Sequence, residues 1–88
     1  MHDVSRDHEY MSLALAEAHL AEKQDEVPVG AVVVVDGKVI AKGFNRTIMD
    51  CDPTAHAEIV AIRKAAKTIN NHRLNEATVF VTLEPCAM

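Results

Sequence analysis

The chain is 88 residues long, 49% hydrophobic and 3% aromatic, which fits one globular domain or part of one and excludes the disordered class. Its formal net charge of −4 excludes a chain that grips nucleic acid through a strongly basic surface. Two cysteines, Cys51 and Cys86, and no apolar N-terminal stretch long enough for a signal peptide or a membrane span point to a reducing, cytoplasmic setting without a membrane partner, where thiols act as ligands or bystanders rather than as a disulfide.

The first pattern runs from about His8 to Gln24, where Met11, Ala14, Leu15 and Ala18 recur at helical spacing while Glu17, Glu22 and Lys23 fall off that stripe. This predicts an amphipathic helix capped by Ser5 or Asp7. The run from Val29 to Val35 is apolar on both alternating faces, which suits a central strand. Asp36-Gly37 supplies the positive φ angles of a two-residue hairpin turn, and the return strand, about Lys38 to Phe44, carries Lys38, Lys42 and Gly43 as an edge strand does. The stretch "NRTIMDCDPTAH" reads as a loop, with Asp52-Pro53 forcing an extended or turn geometry before Thr54. Ile59, Ile62, Ala65, Ala66 and Ile69 then give a second helix that stops at Asn70-Asn71. The basic residues Arg63, Lys64, Lys67 and Arg73 read as a solvated face with cations near the helix C-terminus, rather than as a nucleic-acid patch. Residues 77–83, "ATVFVTL", form a third strand, and Pro85 opens a third helix at its first position. There are no repeats or linkers, so the expectation is one continuous α/β unit.

Two groups of residues could carry chemistry. In "TAHAE", His56 and Glu58 are two apart, a spacing that turns side chains about 200° from each other inside a helix. They can serve one site only if His56 stands in the entry turn, which Pro53 makes feasible; an H-x-E triplet alone is also an ordinary acidic helix start. Cys86 follows a strand at a helix N-terminus, where N–H groups and the helix dipole stabilise the thiolate a metal needs. A catalytic zinc takes three nitrogen or sulfur ligands and keeps a position open for water, and a second cysteine would be looked for three residues after Cys86. The sequence stops at Met88, one residue short of that position.

As far as they run, these motifs resemble the H-x-E…P-C-x-x-C signature of zinc-dependent nucleobase deaminases, with the second cysteine position just past Met88. With "EVPVGAV" at 26–32, "FNR" at 44–46, "DPTAHAEI" at 52–59 and "RLNEATVFVTLEPCAM" at 73–88, the chain resembles the cytidine deaminase superfamily over essentially its whole length. Within that superfamily it resembles the bacterial tRNA adenosine deaminases most. Riboflavin-pathway, guanine and cytosine deaminases share H-A-E and P-C-x-x-C but usually differ around them. The resemblance implies a cytidine deaminase-like three-layer α/β/α sandwich, truncated after the third strand, with residues 1–88 as the N-terminal portion of one domain. It implies His56 and Cys86 as zinc ligands, Glu58 as the proton shuttle, and Asn45, Val29 and Ala55 as contacts of the substrate base. It also implies a tRNA substrate edited from adenosine to inosine at the anticodon wobble position, and a homodimer. Met49 and Met88 are expected to pack, and Cys51 to be a loop thiol rather than a replacement ligand.

With the second cysteine position lying beyond Met88, the isolated chain is expected to hold zinc weakly and to have little or no activity. Two other readings stay open: a catalytically dead remnant or interaction module, and a deaminase of free bases or nucleotides of the guanine or cytosine type.

Overall fold

The computed structural model describes residues 6–69 and 77–82. The expectations for Ser5, Asn70-Asn71, Arg73 and everything from Leu83 onward, Cys86 and Met88 included, lie outside the described residues. The elements are α1 (Asp7–Lys23), β1 (Gly30–Val35), β2 (Lys38–Phe44), α2 (Ala57–Ile69) and β3 (Thr78–Val81). No helix among the described residues is long and apolar enough to cross a membrane.

The strands form one sheet in the order β2-β1-β3, and β1 runs antiparallel to both neighbours. Asp36 and Gly37 have φ of 51° and 74°, the left-handed pair that a two-residue hairpin loop needs to match the strand twist. Val33 faces Ala41 while Val34 faces Val39, so Ile40 is an extra residue that bulges the edge strand. β1 is covered on both faces, as its unbroken valine run requires. Ala31 and Val33 join Ala41 and the α2 residues Ala57, Ala61 and Ala65 on one side. Val32 and Val34 meet Tyr10 and Ala14 of α1 on the other, with Leu13 and Phe80 packed alongside. The result is a helix–sheet–helix sandwich, the fold expected.

The helices turn different faces inward from those the large aliphatics mark. In α1 the buried residues are Tyr10, Ala14, Glu17, Ala18 and Ala21, while Leu15 is 51% exposed and Glu17 only 8% exposed. In α2 the buried residues are Ala57, Ala61 and Ala65; Ile62 packs against that seam and Ile69 is exposed. The cause is close approach of backbones. A Cβ on Gly30 would overlap the carbonyl oxygen of Ala14, and one on Gly43 would lie 2.7 Å from the amide nitrogen of Ala61. Where a helix is seated this close on a glycine, small residues such as Ala14, Ala18, Ala57 and Ala61 face the strand, and Leu15 and Ile69 lie out on the exposed flanks. The start of α1 also differs: Arg6 holds the cap position with no side-chain cap, and Asp7 lies in the first turn.

This topology collects the start of β1, the ends of β2 and β3 and the start of α2 at one end of the sheet. Gly30 pairs with Phe44 and Ala31 with Val81. Thr82 ties the corner by donating its N–H to the Gly30 carbonyl at 2.9 Å and accepting the Gly30 N–H on Oγ1 at 2.9 Å.

Candidate active site

The backbone just past β2 threads between two other segments. Asn45 donates its N–H to the Val29 carbonyl at 3.0 Å, and Arg46 donates to the Ala55 carbonyl at 2.9 Å. Two adjacent bonds therefore bring Val29, Asn45 and Ala55 together at the glycine end of β1, with His56 next in the chain. Asn45 and Ala55 are buried, Val29 is half-buried, and His56 is exposed.

His56 occupies the helix entry. It precedes the first residue of α2, and its carbonyl accepts the N–H of Val60 at 2.9 Å, so it is the cap residue and not part of the helix interior. Glu58 is half-buried in the first helical turn, where the dipole favours a carboxylate. The condition set by their spacing is thus met: an H-x-E pair can serve one site when the histidine stands outside the helix. The turn feeding His56 is built by Asp52, whose Oδ1 accepts the Thr54 N–H at 2.9 Å and the Thr54 hydroxyl at 2.7 Å. The Thr54 hydroxyl, then its N–H, hold the Asp52 carboxyl below the usual carboxylate range; partial burial opposes this, and Arg63 adds to it.

A zinc of the kind the motifs imply takes imidazole and thiolate donors. The chain supplies that donor chemistry in His56 and Cys86. The helix entry presents His56 to solvent, where an ion can reach it. Among the described residues no group of three or more His, Cys, Asp or Glu gathers to hold a metal; Cys51 is exposed, with a φ of 49°. Met49, expected to pack, is 41% exposed.

The residue that sequence reasoning passed over is Glu26. Only 4% exposed, its carboxylate accepts from Asn45 Nδ2 at 3.2 Å and the Ile48 N–H at 3.1 Å through Oε1, and from the Met49 N–H at 2.6 Å through Oε2. It ties the loop after β2 down against the segment before β1. No periodicity marks it, because a lone glutamate ahead of a Val-Pro pair reads as a solvated loop residue. Farther out on the same loop Arg46 is braced by Asp50, with Nε to Oδ2 at 3.1 Å, and lies 5.5 Å from the Phe44 ring centre. Its guanidinium is raised above its ordinary pKa by the Asp50 hydrogen bonds first, with partial burial opposing.

Comparison with known proteins shows the family. Residues 4–88 match the family described as the cytidine and deoxycytidylate deaminase zinc-binding region. The tRNA-specific adenosine deaminase of Buchnera aphidicola from Schizaphis graminum is 48% identical over 84 residues, covering 96% of this chain and 56% of its own length. A solved structure from biochemical and structural studies of A-to-I editing by tRNA:A34 deaminases superposes with a TM-score of 0.84 at 53% identity, covering 90% of this chain and 57% of that one. The guanine deaminase of Bacillus subtilis superposes with a TM-score of 0.82 at 37% identity, over 91% of this chain and 52% of that one. The chain spans about half the length of the curated relatives it matches.

Proposed function

Because the chain belongs to the cytidine and deoxycytidylate deaminase family, in its zinc-binding region, we propose that it contributes the zinc-holding and base-binding half of a hydrolase that converts adenosine in tRNA to inosine. The observation that carries this reading is the pair of backbone bonds that brings Val29, Asn45 and Ala55 beside the helix-entry histidine. Relatives near 50% identity bear the name tRNA-specific adenosine deaminase.

In this proposal His56 and Cys86 hold zinc, which when bound lowers the pKa of a coordinated water towards neutrality. The chain's own residues supply the rest. Val29 and Ala55 wall the base, and Asn45 binds its edge by hydrogen bonding. Glu58 takes a proton from the attacking water as the C6–O bond forms and passes it to the adjacent ring nitrogen. It then takes the proton of the new C6 hydroxyl and delivers it to the exocyclic amine as the C6–N bond breaks and the C6 carbonyl forms, so that adenosine and water become inosine and ammonia. Glu58 must stay off the metal to do this, and its position two residues inside the helix from His56 separates the two roles. With so little positive charge of its own, this chain leaves most of the grip on the RNA backbone to other surfaces. A homodimer and a cytoplasmic setting belong to the same proposal.

The test uses the zinc-loaded full-length protein and an RNA hairpin with a single-stranded adenosine. Glu58→Gln should lower the rate of inosine formation about 100-fold or more while the bound zinc is kept, whereas His56→Ala should lose the zinc. Full activity in Glu58→Gln would remove Glu58 from the proton path. The likeness to a guanine deaminase favours a second reading, deamination of a free base; turnover of guanine with none of the hairpin would select it.

A further inference from the structure

We propose that Glu26 is a positioning residue, setting which way the Asn45 amide faces and thereby how the base is read; this rests on the substrate role proposed above for Asn45. A carboxylate can only accept hydrogen bonds, and three donors converge on this one from the Asn45 side chain and the backbone of residues 48 and 49. The Asn45 amide must therefore turn its NH2 towards Glu26. The Thr47 Oγ1, 3.3 Å from the same nitrogen, accepts on the other side. With both N–H bonds directed inward, the amide has one orientation rather than two, and its polarity towards a ligand is fixed before anything binds.

The three donors also explain why only a carboxylate serves. Glutamine at position 26 would offer one oxygen and one NH2. With its oxygen towards Asn45 and Ile48, its NH2 would face the Met49 N–H, which approaches at 2.6 Å in the native arrangement. With its oxygen towards Met49, its NH2 would confront the Ile48 N–H and force the Asn45 amide to flip. Either way, a change of one atom in a buried side chain alters the loop or inverts the amide, and an unmatched buried donor is costly.

The experiment is a double-mutant cycle in the zinc-loaded full-length protein with Glu26→Gln and Asn45→Ala. It is read in KM and kcat for the adenosine hairpin, with the Asn45 side-chain amide followed by 15N NMR. Glu26→Gln should shift the Asn45 amide signals and raise KM about 10-fold or more, the range of a lost charge-assisted hydrogen bond, with zinc content unchanged. It should add nothing in the Asn45→Ala background. Effects that multiply, or a lower Tm with KM and the amide signals unmoved, would overturn the proposal and leave Glu26 as a clamp on the loop alone. Thr47→Val, which removes the second acceptor and keeps the carboxylate, is the milder variant should Glu26→Gln not fold. It should move KM and the amide signals in the same direction, and no movement there contradicts the proposal equally. A zinc-loaded wild type that forms no inosine would sink the adenosine reading instead, and the amide signals would still decide the role of Glu26.

Discussion

Asp52 links a local turn to the position of His56. Its Oδ1 holds both the N–H and the hydroxyl of Thr54, and these bonds, the hydroxyl's foremost, keep its carboxyl below the usual range. A carboxyl whose folded-state pKa is depressed stabilises the fold above its unfolded value, and that contribution is lost as pH falls through the folded one. The turn should therefore loosen below about pH 4, seen as faster exchange of the Thr54 amide. Asp52→Asn, which still accepts but does not titrate, should remove that pH dependence, and an unchanged profile in the variant would assign it to another group. The sequence is informative where chemistry has a spacing rule. His56 and Glu58 could share a site only with the histidine at a helix entry, and that is where His56 stands. Glu26 has no spacing rule: it opens the stretch "EVPVGAV", but its partners are 19 to 23 residues away and two of them are backbone amides, so local spacing gives it no role.

The elements themselves were legible, since β-branched runs, an Asp-Gly turn and helical spacing each follow from local chemistry; the helix faces were legible in part, Ala14, Ala18 and Ala65 of the expected stripes being buried. Hydrophobicity singled out Leu15, Ile59 and Ile69, whereas the buried seams are alanines set against Gly30 and Gly43. A large side chain marks what can be buried, and a glycine in the opposing strand decides how close the helix sits. Gly43→Ala should accordingly destabilise the protein by about 1–3 kcal/mol through overpacking against α2. Leu15→Ala, at a half-exposed position, should stay within about 0.5 kcal/mol. Urea denaturation measures both, and the reverse ranking would contradict the packing described here.

For the molecule as a whole, two helices on opposite faces of an antiparallel sheet leave one end where three strand termini and a helix start converge, and every base-binding candidate among the described residues stands there. That convergence depends on contacts between segments far apart in the chain, such as Thr82 with Gly30, which no local pattern announces. The motifs nevertheless pointed to the family, because metal and proton-transfer chemistry restrict residue types more tightly than packing does. The proposal is that the chain, with zinc held by His56 and Cys86, serves the deamination of adenosine with Glu58 moving the protons. Its most direct test is inosine formation on the adenosine hairpin by full-length protein with and without zinc, beside the Glu58→Gln variant. Inosine is expected only from the zinc-loaded protein with Glu58 intact; equal inosine from the metal-free protein, or from zinc-loaded Glu58→Gln, would overturn the proposal.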